Sequence, residues 1–167
     1  MLQKKICMLG SFSVGKTSLV RRFVESIFDE QYQTTIGVKV DKKVVELAGK
    51  QITLVLWDIH GEDVLQSMRM TYLRGMSGYL LVIDPTRRQT LEDALALEAR
   101  VQQAMGLIPR VLILNKCDLI ADWDIDLERI SAFEKSGQAV VRTSAKTGQG
   151  VEEAFSTLGA AVLHSAA

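Results

Sequence analysis

Cysteine is scarce: Cys7 and Cys117 are the only two in 167 residues. Two thiols cannot staple a fold as the disulfide frameworks of small secreted domains do, and both are expected to be reduced. Proline is equally rare, with only Pro85 and Pro109, which leaves no room for a proline-rich linker or a polyproline segment. Neither sign of charge dominates, because 20 Lys and Arg face 20 Asp and Glu. That balance argues against a broad nucleic-acid-binding surface, and no nucleic acid is expected as a partner. Long apolar runs are missing too. The longest, Tyr79–Ile83, is far short of a membrane span, and the first apolar stretch, Lys5–Gly10, is too short for a signal peptide. No cysteine follows Cys117 and Leu2 stands after Met1, so neither prenylation nor N-myristoylation is expected. The expected location is cytoplasmic, with membrane association only through a partner or a tail outside this sequence.

What is present is ordinary globular material. Hydrophobic residues make up 47% and charged residues 24%, and the length suits one domain over residues 1–167 with one core. Short apolar runs alternate with helical patterns, the signature of an α/β fold with a mostly parallel sheet. Strands are read at Lys4–Leu9, Gly78–Asp84, Arg110–Asn115 and Ala139–Thr143. These runs are rich in Leu, Ile and Val and barely alternate, as in strands covered on both faces. Helices are read at Lys16–Glu25, Thr90–Met105, Asp126–Lys135 and Val151–His164. Two further strand-like runs, Val38–Leu47 and Gln51–Asp58, are joined by Ala48-Gly49-Lys50, which predicts a hairpin and one antiparallel strand. The expected fold is a doubly wound α/β domain with six strands, one of them antiparallel, and about five helices.

Chemistry enters at Gly10-Ser11-Phe12-Ser13-Val14-Gly15-Lys16-Thr17, which fits G-x-x-x-x-G-K-[ST] between a strand and a helix. Glycines let the backbone turn its N–H groups toward phosphate oxygens, and the helix N-terminus adds a favourable dipole. Ser13, Val14, Gly15, Lys16, Thr17 and Ser18 are the candidate phosphate contacts. Lys16 would reach the β- and γ-phosphates, and the Thr17 hydroxyl would face Mg²⁺. This motif alone specifies only a nucleoside triphosphate.

Asn115-Lys116-Cys117-Asp118 closes one strand and Thr143-Ser144-Ala145-Lys146 the next. Both should lie on the carboxyl edge of the sheet, where open α/β folds bind ligands. A carboxylate at Asp118 matches the two adjacent donors of guanine and would be repelled by a ring acceptor of adenine, so an ATP-using kinase-like enzyme is disfavoured.

With N-K-x-D and S-A-K following the phosphate motif in this order, the chain resembles the Ras superfamily of small GTPases, closest to its Rab-like branch. The resemblance runs from about Lys4 to His164 and implies a P-loop GTPase fold. It implies that Asp118 accepts from guanine N1–H and the exocyclic amine, that Asn115 holds the loops, and that the Lys116 stem covers the base. Ala145 would donate its N–H to the guanine carbonyl, with Ser144 and Lys146 supporting. Tyr32–Val38 is similar to the first switch: Thr35 would complete Mg²⁺ coordination and meet the γ-phosphate, while Phe28 would pack on the guanine edge or in the core. Trp57-Asp58-Ile59-His60-Gly61-Glu62-Asp63 is similar to the second switch. There Asp58 would hold Mg²⁺ through a water, and Gly61 would offer its N–H to the γ-phosphate. Effector, exchange-factor and activating proteins would dock through residues 30–40 and 58–76.

Two positions depart from the family pattern. Glu62 stands where the family has its water-positioning glutamine. An ionised carboxylate accepts hydrogen bonds but cannot donate one, which leaves three readings: a poor hydrolase, Glu62 acting as a general base, or His60 or Gln66 orienting the water. Phe12 replaces a small residue above the phosphates, where its ring would obstruct an arginine from an activating partner. The implied function is a GTP-binding switch with slow Mg²⁺-dependent hydrolysis, with Lys16, Gly61 and Glu62 as catalytic candidates. Its rival is a nucleotide-bound interaction module with negligible hydrolysis. Outside the motifs, Cys7, Trp123 and the methionines Met68, Met70 and Met76 read as packing residues.

Overall fold

The computed structural model describes residues 1–26, 28, 37–59 and 70–166. Among them the strands are β1 (Leu2–Leu9), β2 (Val38–Leu47), β3 (Lys50–Ile59), β4 (Gly78–Ile83), β5 (Arg110–Leu114) and β6 (Val140–Arg142). The described α-helices are α1 (Lys16–Glu25), α2 (Gln89–Met105), α3 (Leu127–Lys135) and α4 (Val151–Ser165). Short 3-10 turns at Met70–Leu73 and Cys117–Asp122 complete the described elements.

The strands form one sheet in the order β2-β3-β1-β4-β5-β6. Of these strands only β2 runs antiparallel, paired with β3 from Val38↔Ile59 to Leu47↔Lys50. Their connection is tighter than the three-residue join read from sequence, because Lys50 already belongs to β3. Ala48 and Gly49 make the turn alone, with φ of 52° and 74°, and positive φ at both central residues matches the twist of a two-residue hairpin.

Strand alternation distributes the core to both faces of the sheet. Ile6 and Met8 pack with Leu19 and Phe23 of α1 and Phe155 and Leu158 of α4. Cys7 and Leu9, facing the other way, pack with Leu91, Leu97 and Val101 of α2 and Ile130 of α3. Every residue of β4 is buried, which explains its unbroken apolar run. On the first face the rings of Phe23 and Phe155 stack at 3.9 Å. On the second, Met76 is buried and Met70 is partly buried against the same cluster; Met68 lies outside the described residues. Among the described residues no helix is long and apolar enough to cross a membrane.

The order of strands fixes where a ligand can sit. From β1 the chain turns toward β2 and β3, and from β4 it turns the other way, toward β5 and β6. The crevice opens where neighbouring connections diverge, at the carboxyl ends of β1 and β4.

Candidate functional site

The loop between β1 and α1 starts with a backbone collision that only glycine avoids. A Cβ on Gly10 would lie 2.3 Å from the Val82 carbonyl oxygen of β4. Ser13 and Gly15 then take positive φ, 61° and 102°, which folds the loop back over the start of α1. No side chain caps α1, whereas Asp126 caps α3 by accepting from the backbone N–H groups of Glu128 and Arg129. The first turn of α1 therefore directs its N–H groups and its dipole into the loop.

Lys16 lies inside this loop, only 6% exposed. Its ammonium donates to the carbonyls of Gly10 and Ser11, both at 2.9 Å. Burial pulls its pKa down to about 8, the nearby Asp58 carboxylate works in the opposite direction, and Arg87 adds to the lowering. Anionic phosphate at this position would restore the charge that burial disfavours. The next residue, Thr17, donates its hydroxyl to Asp58 Oδ2 at 2.5 Å. Asp58 stands near the end of β3 and is 1% exposed. A hydroxyl and a carboxylate side by side make an all-oxygen pair suited to a hard cation such as Mg²⁺, which takes one or two protein oxygens and fills its octahedron with phosphate and water. The donor set fits the metal.

The other wall comes from the ends of β5 and β6. Asn115 is 2% exposed and donates from Nδ2 to the Val14 carbonyl at 2.9 Å, while its Oδ1 accepts from Thr143 Oγ1 at 3.0 Å. A Cβ on Gly15 would come within 2.2 Å of Asn115 Nδ2, so the two loops are in close contact. Cys117 N–H donates to the Thr143 carbonyl at 2.9 Å. Ser144 Oγ donates to Asp118 Oδ1 at 2.8 Å and accepts from Thr147 N–H at 3.1 Å. Lys116, at φ 62°, extends its ammonium to Asp84 Oδ2 at 2.7 Å and to the Ser13 carbonyl at 3.3 Å.

The structure thus brings Ser13–Ser18, Asp58, Asn115–Asp118 and Ser144–Lys146 to one edge of the sheet. Phe28 is half-buried against the first core cluster. Thr35, Gly61 and Glu62 lie outside the described residues, as do Tyr32, His60 and Gln66.

Four residues of the site carried no functional reading in the sequence. Asp84, just past the end of β4 and 1% exposed, accepts from Lys116, from Thr86 and from Arg87 Nε. Burial alone would raise its pKa; the hydrogen bonds from Lys116 and Thr86 outweigh that and lower it. Its signal was an acidic residue closing an apolar strand at the ligand edge. Arg87 donates onward to the Phe12 carbonyl at 2.8 Å. Trp123 packs in the second core cluster and also donates Nε1–H to the Lys116 carbonyl at 3.1 Å. The fourth, Arg22, projects from α1 to the turn after Ser144; nothing in its spacing announces this.

A switch-point crevice, a glycine-built phosphate loop and a second loop carrying Asn115 and Asp118 together define the small GTPase class of P-loop proteins. The Ras family model matches residues 5–164. Ras-related protein Rab-13 of Canis lupus familiaris is 34% identical over 161 residues, covering 95% of this chain and 79% of its own. The GTP-binding protein ypt2 of Schizosaccharomyces pombe is 34% identical over 156 residues, with 92% and 78% covered. Ras-related protein Rab-4 of Dictyostelium discoideum is 35% identical over 153 residues, with 90% and 75% covered. The chain belongs to the Ras family, as a Rab-like GTP-binding switch.

Proposed function

We propose that this protein alternates between GTP- and GDP-bound forms, hydrolyses GTP slowly with Mg²⁺, and signals through partners that read residues 30–40 and 58–76. In this reading the backbone of Ser13–Ser18 and the Lys16 ammonium bind the phosphates. Thr17 and Thr35 would hold Mg²⁺ directly and Asp58 would hold it through water, and the metal, when bound, would supply neutralisation of charge on the phosphates. Asp118 reads the guanine donors, with Asn115, Lys116, Ser144, Ala145, Lys146 and Phe28 enclosing the base. Gly61 senses the γ-phosphate by its N–H, and loss of that phosphate would release Thr35 and Gly61 together.

The observation that carries the reading is the junction of the two loops. Asn115 is bonded to Val14 of the phosphate loop, and Ser144 holds the Asp118 carboxylate. In this reading those two bonds would keep the base and phosphate contacts at a set separation, as one nucleotide requires. The test is calorimetry of GDP and ADP on the wild type and on Asp118→Ala. The wild type should prefer GDP, and the substitution should weaken GDP by at least about 1.5–3 kcal/mol, the worth of a charged hydrogen bond. Equal affinity of the wild type for both nucleotides would overturn the guanine assignment.

A further inference from the structure

We infer that Arg22 is a positioning residue for guanine recognition, acting through the Lys146–Thr147 peptide and Ser144 on Asp118; the inference rests on the guanine-binding reading above. Arg22 Nε donates to the Ala145 carbonyl at 2.8 Å, and its Nη2 donates to the Lys146 carbonyl. One planar guanidinium thus holds two successive carbonyls, a task that suits its fixed fork of donors. The described peptide bonds are all trans, and a trans peptide directs its C=O and the following N–H in opposite directions. Clamping the Ala145 carbonyl therefore aims the Lys146 N–H away from α1. Clamping the Lys146 carbonyl aims the Thr147 N–H, and that N–H donates to Ser144 Oγ at 3.1 Å. With its acceptor side occupied, the Ser144 hydroxyl gives its proton to Asp118 Oδ1 at 2.8 Å. The result is a continuous relay from α1 to the carboxylate that would read the exocyclic amine of guanine. Gly148 N–H donates to the Ser144 carbonyl at 2.8 Å, so the preceding peptide is held as well. The same short helix carries Lys16 and Thr17 in its first turn, about 8 Å along the axis from Arg22. It thereby fixes the phosphate contacts and the base-reading turn as one body.

A relay ending on Asp118 makes a prediction that general loosening of α1 does not. Inosine diphosphate keeps the guanine carbonyl and N1–H but lacks the exocyclic amine. The experiment compares GDP, inosine diphosphate and ADP on the wild type, Arg22→Ala and Arg22→Lys, with melting temperatures alongside. Arg22→Ala should weaken GDP more than inosine diphosphate and shrink their affinity ratio by about tenfold, the scale of one well-aligned charged hydrogen bond. Arg22→Lys keeps the charge but cannot hold two carbonyls in one plane, so its ratio should fall between the two; should Arg22→Ala fail to fold, this variant carries the readout. A ratio equal to the wild type in both substitutions, with all three nucleotides weakened alike, would show that Arg22 only supports the helix and would overturn the inference. If the wild type itself does not prefer GDP to ADP, the guanine reading fails first and takes this inference with it.

Discussion

At the scale of single residues, the departure with the largest chemical consequence is Glu62, which lies outside the described residues and so rests on chemistry alone. Phosphoryl transfer in this class is positioning and charge stabilisation, with little covalent work for the protein. A glutamine amide would accept from the attacking water and donate to a phosphate oxygen. An ionised carboxylate can do only the first, and it adds negative charge beside the γ-phosphate. Unstimulated relatives turn over at about 10⁻⁴ to 10⁻² per second, and single-turnover hydrolysis here is expected at or below the low end of that range. Glu62→Gln should raise the rate, roughly tenfold for each 1.4 kcal/mol regained. Slower hydrolysis in both Glu62→Gln and Glu62→Ala would make Glu62 a working base, while no change in either would move the role to His60 or Gln66. Asp118 and Lys16 were legible because a motif of fixed spacing carried them. Arg22 and Arg87 were not, since an arginine on a helix or a turn reads as solvated, and its carbonyl partners come from loops more than 70 residues away.

At the scale of elements, the sequence disclosed strand segments that are buried on both faces and hid what depends on approach. Ile6–Leu9 of β1, all of β4 and Val111–Leu114 of β5 stood out because helices cover both their faces, leaving no polar side to alternate. The β2–β3 hairpin was legible from Ala48-Gly49, although its turn proved one residue shorter. β6 is only three residues long, Val140–Arg142, inside the Ala139–Thr143 run read from sequence. Loop against strand is different, because pattern does not record separation. Gly10 read as a motif position, yet its tightest constraint is the Val82 carbonyl of the neighbouring strand, which a Cβ would meet at 2.3 Å. That atom is backbone in a fully paired strand and cannot swing aside. Gly10→Ala should therefore push β1 from β4 or displace the phosphate loop, costing about 1–3 kcal/mol as overpacking does. The check is urea unfolding together with GDP affinity, and GDP binding should suffer more than stability because the loop is the more compliant side. Wild-type values in both measurements would mean that the β1–β4 contact is looser than the structure shows.

At the scale of the whole molecule, one buried carboxylate joins the two halves of the sheet. Asp84 follows β4 at the switch point and receives Lys116 from the base loop at 2.7 Å. It also receives Arg87 at 3.1 Å, whose other amine reaches the Phe12 carbonyl of the phosphate loop. Lys116 in turn touches the Ser13 carbonyl, so the circuit closes across the crevice. Burial opposes the charge on Asp84, yet the hydrogen bonds from Lys116 and Thr86 lower its pKa on balance. The sign follows from linkage. With the folded pKa below the unfolded one, the unfolded chain binds more protons as pH falls, so the contribution of Asp84 is complete at neutral pH. It is lost below about pH 4, as acid carries the group through its lowered folded value. Asp84→Asn removes the charge that the ammonium needs, and at neutral pH it should cost about 1–3 kcal/mol, the penalty for leaving a charged donor poorly paired. Other carboxylates titrate in the same range in both proteins, so the informative quantity is the gap between them. Urea unfolding from neutral pH down to about pH 3 should show that gap narrowing as Asp84 protonates in the wild type. A gap that stays constant over the whole range would mean that the carboxylate charge does not hold the circuit, and that the amide introduced by Asp84→Asn destabilises the protein for reasons of shape alone.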